Sequence, residues 1–130
     1  MIILTLRTDK PESELAIFDD LTKLIEIKWL ANRILADTIH LQIKKLLDDQ
    51  NLSWQDIKGV VCYRGPGSFT GLRIGLSVAN ALAYGLQIPI VGKSTANWQI
   101  LGIKDLLNGN NDKIALPEYG GEIKITKPKK

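Results

Sequence analysis

The densest run of chemically unusual residues is Arg64-Gly65-Pro66-Gly67-Ser68-Phe69-Thr70-Gly71-Leu72-Arg73-Ile74-Gly75. It follows a continuous apolar run, Gly59 to Tyr63, and precedes a helical pattern, which is where α/β folds carry ligand loops. Gly65 and Gly67 free the backbone, Pro66 fixes one torsion, and Ser68 can cap the helix. Free amides at that helix start, with Arg64 and Arg73 beside them, could hold an anion. Arg64, Gly67, Ser68, Thr70 and Arg73 are therefore candidate anion contacts. The segment has neither the Gly-Lys-Ser/Thr of a Walker loop nor dinucleotide-fingerprint spacing, so a purely structural tight turn remains the other reading.

Other reactive residue types are thinly spread. His40 stands alone, and metal ligation needs several convergent ligands, so no metal site is expected. Cys62 lies in a buried-strand pattern, where cysteine behaves as a small hydrophobe. Asp9 and Asp37 would need a third acid to hold the two metal ions of a nuclease, and Asp19, Asp20, Asp48 and Asp49 fall in turns. Ser68 has no placed base, which argues against a serine hydrolase. No catalytic residue is assigned.

The elements that position these residues follow from periodicity. Ile2 to Thr8, Leu15 to Phe18 and Lys23 to Trp29 read as strands joined by tight turns, an antiparallel meander. From Asn32 to Asp49 the apolar residues recur at helical spacing. Gly59 to Tyr63 suits a buried parallel strand, a second helix runs from about Ser68 to Leu86, and Ile88 to Val91 is a short strand. Ser94-Thr95-Ala96-Asn97 can cap a third helix through Leu107. The order βββαβαβα predicts an α/β fold: a mixed five-stranded sheet with helices packed on it.

On the second helix Gly71, Gly75, Ala79 and Ala83 recur every four residues, leaving Ile74, Val78, Leu82 and Leu86 on another face. The bulky face is expected to meet the sheet. The small-residue strip would then admit a foreign helix at close range, as small-xxx-small strips do in membranes. The first helix also carries surplus apolar surface, including Ile34 and Leu41 beside Thr38, so both helices invite a partner. The competing reading packs them on each other within the chain's own core.

The 130 residues, 45% hydrophobic and 24% charged, suit one globular domain and exclude a disordered chain. The net charge of +3 is not spread over the molecule: residues 1 to 121 carry 13 basic and 13 acidic side chains, and the excess sits in a lysine-rich end. Residues 1–108 are expected to form the domain, and 109–130 a loop and basic tail. A single cysteine and a start without a leader's pattern predict cytoplasmic residence. The apolar stretch from Leu72 to Val91 is broken by Arg73, Asn80, Gln87 and Pro89, so no membrane span is expected.

The run from Arg64 to Gly75 strongly resembles the signature of the bacterial TsaB (YeaZ) family. That family is the accessory subunit in making the threonylcarbamoyl-adenosine (t6A) modification of transfer RNA at A37. Asp56-Ile57 and Ile88-Pro89-Ile90-Val91-Gly92-Lys93-Ser94-Thr95 look like the same pattern, and the match covers about residues 1 to 108. The resemblance implies a single ASKHA (actin-like, ribonuclease-H-like) subdomain without most of the family's second subdomain. It further implies a non-catalytic partner whose first two helices dock on the catalytic, TsaD-like subunit. A TsaE-like ATPase is a further partner, self-pairing is open to the isolated chain, and transfer RNA contact is indirect or through the lysine tail. Gly71, Gly75, Ala79, Ala83, Ile34, Thr38 and Leu41 are the expected contact residues. No cofactor is expected on this chain alone; ATP or ADP would sit at the partner interface, near Arg64, Gly67, Ser68, Thr70 and Arg73. Two departures bear on chemistry: Leu35 stands where the family tends to place a histidine, and Thr8-Asp9-Lys10-Pro11 is a degraded form of the actin-like phosphate turn. The alternative is a stand-alone ribonuclease-H-like domain that binds or hydrolyses nucleic acid.

Overall fold

The computed structural model describes residues 1–67 and 69–118. Three strands lead the chain: β1 (Ile2–Arg7), β2 (Glu12–Asp19) and β3 (Thr22–Leu30). After a single 3-10 turn come α1 (Leu35–Asp49), β4 (Ile57–Tyr63), α2 (Phe69–Leu86), β5 (Ile90–Lys93) and α3 (Trp98–Leu107). The order is the βββαβαβα read from the sequence. The sheet runs β3-β2-β1-β4-β5, with the meander antiparallel and both β1–β4 and β4–β5 parallel.

Strand alternation sorts the side chains into two cores. Leu4 and Leu6 of β1, Leu15 and Ile17 of β2, Val60 and Cys62 of β4 and Ile90 of β5 point to one face, where α1 and α2 cover them. Ile3, Ala16, Phe18, Val61, Tyr63 and Val91 point to the other, where Trp98, Ile103 and Leu106 of α3 close the core. The result is three layers, with two helices on one side of the sheet and one on the other.

β2 begins earlier than its composition suggests. Glu12 and Ser13 read as the end of a turn, yet they pair with Leu30 and Trp29 and lengthen the hairpin. β5 is displaced in the opposite sense, beginning at Ile90, opposite Val60, and reaching Lys93. α1 starts three residues late because Asn32 takes a positive φ of 43° and opens the 3-10 turn instead.

The largest departure concerns the orientation of α2. Gly75, Ala79 and Ala83 are buried within the chain, Ala79 at 0% exposure, beside the buried Leu72 and Leu76. The strip expected to receive a foreign helix thus faces the chain's own sheet. Its function is close approach: a methyl group at Gly75 would overlap the Thr8 side chain, whose hydroxyl donates a hydrogen bond to the Gly71 carbonyl at 2.8 Å. Of the residues expected against the sheet, Val78 is buried in the core, while Ile74, Leu82 and Leu86 are only half-buried along its flank.

Residues 111–118 lie along the free side of β5 rather than leaving the body. Asn111 and Asp112 bind the backbone of Ile90 and Gly92, and Asp112 N–H donates to the Ile90 carbonyl. The Asn80 carboxamide grips both the N–H and the carbonyl of Ala115, at 2.8 and 3.0 Å. Arg64 Nε donates to the Leu116 carbonyl, and Glu118 N–H donates to the Arg64 carbonyl. The basic tail beyond, residues 119–130, lies outside the described residues.

Two substitutions on α2 separate packing from propensity. Gly75→Val should cost about 2 kcal/mol or more, since overpacking against Thr8 forces backbone movement. Gly85→Ala, where the added methyl meets open space, should stabilise by about 0.5–1 kcal/mol through helix propensity. Urea denaturation of both variants checks the contrast.

Candidate functional site

The C-terminal ends of β1 and β4 sit side by side, with the glycine-rich loop joining β4 to α2 across them. Alternation divides the residues leaving β1: Thr8 turns toward α2, while Arg7 and Asp9 serve the α3 face. Arg7 Nε donates to Asp9 at 2.7 Å and its Nη2 at 3.2 Å. The guanidinium also lies 3.9 Å from the centre of the Tyr63 ring, a cation–π contact. Tyr63 packs edge-on to Trp98 and donates its hydroxyl hydrogen to the Pro66 carbonyl. The hydrogen bonds to the Asp9 carboxylate raise the Arg7 pKa above its ordinary value. Asp9 is thereby occupied as a counter-ion, and Asp37 is exposed on α1. Among the described residues no three His, Cys, Asp or Glu side chains converge.

The loop itself is tightly determined. Gly65 takes a φ of +112°, a left-handed conformation in which a side chain would run into Leu72 and the Glu118 carbonyl. Gly67 sits against the Asp9 side chain with no room for a methyl group. These contacts favour the structural tight-turn reading. They also disperse the candidate anion contacts. Arg64 turns toward residues 116–118 and packs its stem near Gly92, whereas Thr70 opens onto a cavity beside Thr8 on the opposite side of β4. Arg73 is exposed on α2, and Ser68 lies outside the described residues. The expected convergence of Arg64 with Thr70 is corrected by this geometry: the C-terminal segment takes Arg64 as its anchor.

The candidate contact residues divide as well. Gly75, Ala79 and Ala83 belong to the interior and Gly71 to the α2–β1 seam, so the strip is withdrawn from any outward surface. Ile34 and Leu41 do face outward, at 49% and 69% exposure. Thr38 is half-buried; its hydroxyl donates to the Ile34 carbonyl and accepts from the Trp29 indole. The most exposed of the apolar residues that escaped sequence reading are Leu30 at the end of β3 and Tyr84 on α2, the latter 88% exposed. Tyr84 was legible in principle, since it lies opposite Ala79 and Leu86 on the helical wheel. His40 is exposed on α1.

A mixed sheet with a leading β-meander, two helices on one face and one on the other, and a glycine-rich joint after the central parallel strand, defines an ASKHA-type half-domain. A family model described as TsaD, tRNA N6-adenosine threonylcarbamoyltransferase, matches residues 29–113. The chain belongs to that family, and proteins named TsaB (YeaZ) are also among its relatives. A tRNA N6-adenosine threonylcarbamoyltransferase of Geotalea daltonii is 40% identical over 96 residues, 74% of this chain and 28% of that protein. The tRNA threonylcarbamoyladenosine biosynthesis protein TsaB of Buchnera aphidicola subsp. Schizaphis graminum is 36% identical over 84 residues, 60% of this chain and 40% of that one. TsaB of Escherichia coli is 43% identical over 53 residues, 41% of this chain and 23% of that one. The solved structure of YeaZ from Pseudomonas aeruginosa superposes with a TM-score of 0.67 at 27% identity, covering 72% of this chain and 43% of that one. The chain spans two-fifths or less of the length of these curated relatives.

Cys62 bears on any nucleophilic reading. It is buried between α2 and β5, and burial pushes its thiol up to about 12 from an ordinary 9.0. The thiol therefore stays protonated and inert at neutral pH. The unfolded chain releases this proton near pH 9 and the folded chain does not until about 12. The contribution of Cys62 to stability is thus complete below pH 9 and declines as pH rises through that window. In urea melts from pH 8 to 11, Cys62→Ala should show a smaller alkaline loss of stability than the parent. Thiol reagents should label Cys62 only on unfolding.

Proposed function

We propose that this chain is a non-catalytic partner subunit in t6A modification of transfer RNA at A37, docking through α1 and α2 on a TsaD-like catalytic subunit. The observation that carries the reading is the exposure of Ile34 and Leu41, just before and on α1, and of Tyr84 on α2, on a chain with the Arg64–Gly75 motif. Exposed large apolar residues on helices are the raw material of association: buried against a partner, each would contribute about 1.5–3 kcal/mol. Aromatic anchors such as Tyr84 are enriched among the residues that dominate such interfaces. TsaB and TsaD proteins among the relatives support the pathway. On this reading ATP or ADP binds at the interface between subunits, a TsaE-like ATPase joins the assembly, and transfer RNA is contacted chiefly by the partner.

The contact set differs from the small-residue strip. Ile34 and Leu41 supply its α1 part, with Thr38 holding the start of α1 in shape, and Tyr84 its α2 part, toward Asn111 and Lys113. A stand-alone hydrolase has less support, because Asp9 is consumed by Arg7 and Asp37 lies apart on a helix surface.

Mixing the chain with a cognate TsaD-like protein should give co-elution and restore t6A formation that neither supplies alone. Leu41→Asp and Tyr84→Asp should each weaken association at least tenfold, while leaving thermal stability within about 0.5 kcal/mol, as surface substitutions do. Co-elution unaffected by both substitutions would place the interface elsewhere, and magnesium-dependent cleavage of RNA by the chain alone would favour the hydrolase.

A further inference from the structure

Residues 111–118 are held to the body by hydrogen bonds rather than by burial. Ala115 is the buried side chain of the segment, and Ile114 and Leu116 on either side of it stand 60% and 63% exposed. Two of the holding bonds, from Gly92 N–H to the Asp112 carboxylate and from Arg64 Nε to the Leu116 carbonyl, are open to water. A cavity of about 210 Å³ remains between the segment and Arg64 and Gly92, so the packing beneath it is incomplete. Little buried apolar surface, solvent-exposed hydrogen bonds and a void are the features of a stretch that opens locally while the sheet stays closed.

What this segment grips is the entry of the glycine loop. The Leu116 carbonyl takes Arg64 Nε at 2.8 Å, and Glu118 N–H donates to the Arg64 carbonyl at 2.6 Å. The Glu118 carbonyl then fills the space in which a side chain on Gly65 would stand. Glycine alone allows a wide range of backbone angles, so nothing in Gly65 itself selects its φ of +112°. The contact that selects it is Glu118. Further into the loop the hold is different: Tyr63 donates to the Pro66 carbonyl at 3.3 Å, and Gly67 rests on Asp9. The segment is tied separately to α2, the helix into which the loop leads, because Asn80 bonds both the N–H and the carbonyl of Ala115.

We propose that residues 111–118 act as a releasable clamp on the glycine loop. Docked, the clamp fixes Arg64 and Gly65 in the observed conformation. Released, it takes away the anchor of Arg64, returns Gly65 to its full range and uncovers the free side of β5. The shape of the Arg64–Gly75 motif is thereby conditional on a segment from the other end of the domain. The device lies within one chain and needs no partner subunit, so it stands or falls separately from the docking reading.

The test is amide hydrogen exchange by NMR on the full chain. The Ala115 and Glu118 amides should exchange together, about tenfold or more faster than those of Val61 and Cys62 in the sheet. Asn80→Ala removes both bonds to Ala115 without touching the loop. It should speed exchange at Glu118 about tenfold and move the Gly65 and Gly67 resonances, leaving Val61 and Cys62 as they were. Asp112→Ala, at an exposed residue, weakens the segment at Gly92 instead and should move the same loop resonances in the same direction, which keeps the test decisive if Asn80→Ala fails to fold. Faster exchange at Ala115 and Glu118 with Gly65 and Gly67 unmoved would show that the loop holds itself, and overturns the proposal. Exchange at Ala115 and Glu118 as slow as in the sheet overturns it too, since the clamp would then never release.

Discussion

The structure depends on one close approach, that of α2 to the end of β1. Thr8 donates its hydroxyl hydrogen to the Gly71 carbonyl while its side chain fills the space that a methyl group on Gly75 would need. That contact fixes the depth of α2 on the sheet and brings Leu72, Leu76 and Ala79 into the core. It also sets the rotation of the helix, which exposes Tyr84. At the same point the glycine loop is drawn over Asp9. The small residues of α2 are therefore an internal device, and the outward surface of the helix pair is left to larger side chains.

This inversion shows what can be read from a sequence of this kind. Spacing of four correctly predicts that Gly71, Gly75, Ala79 and Ala83 share a face, because that follows from helical geometry alone. It does not say what the face meets. The partner, Thr8, lies more than sixty residues away, and its role depends on which side of β1 it leaves. The eight elements and their order were legible because each is short, amphipathic or continuously apolar, and bounded by turn chemistry. The early start of β2 was not, because Glu12 and Ser13 gain strand geometry only from pairing with β3.

The same reasoning accounts for the candidate site. The motif from Arg64 to Gly75 stood out by composition, and the glycines do carry constrained backbone. Its charged residues could not be assigned a direction from sequence, since Arg64 is drawn away by the Leu116 carbonyl, more than fifty residues downstream. Lys10 in the β1–β2 turn, Ser13 in β2 and Arg33 in the 3-10 turn before α1 share a cavity only once the meander has folded. A polar residue in line with Leu15 and Ile17 was the available signal, and it becomes visible when β2 is extended to Glu12.

The path of residues 111–118 has a consequence for assembly. An open sheet ordinarily presents two unsatisfied margins to which a foreign strand can add, and long regular margins invite uncontrolled polymerisation. Here one margin, β5, is occupied by the chain's own C-terminal segment through Asn80, Asn111 and Asp112. The other, β3, carries Lys23, Glu26 and Lys28 among its outermost residues, and such charges discourage strand addition. Both lateral routes to ribbon-like growth are thereby obstructed.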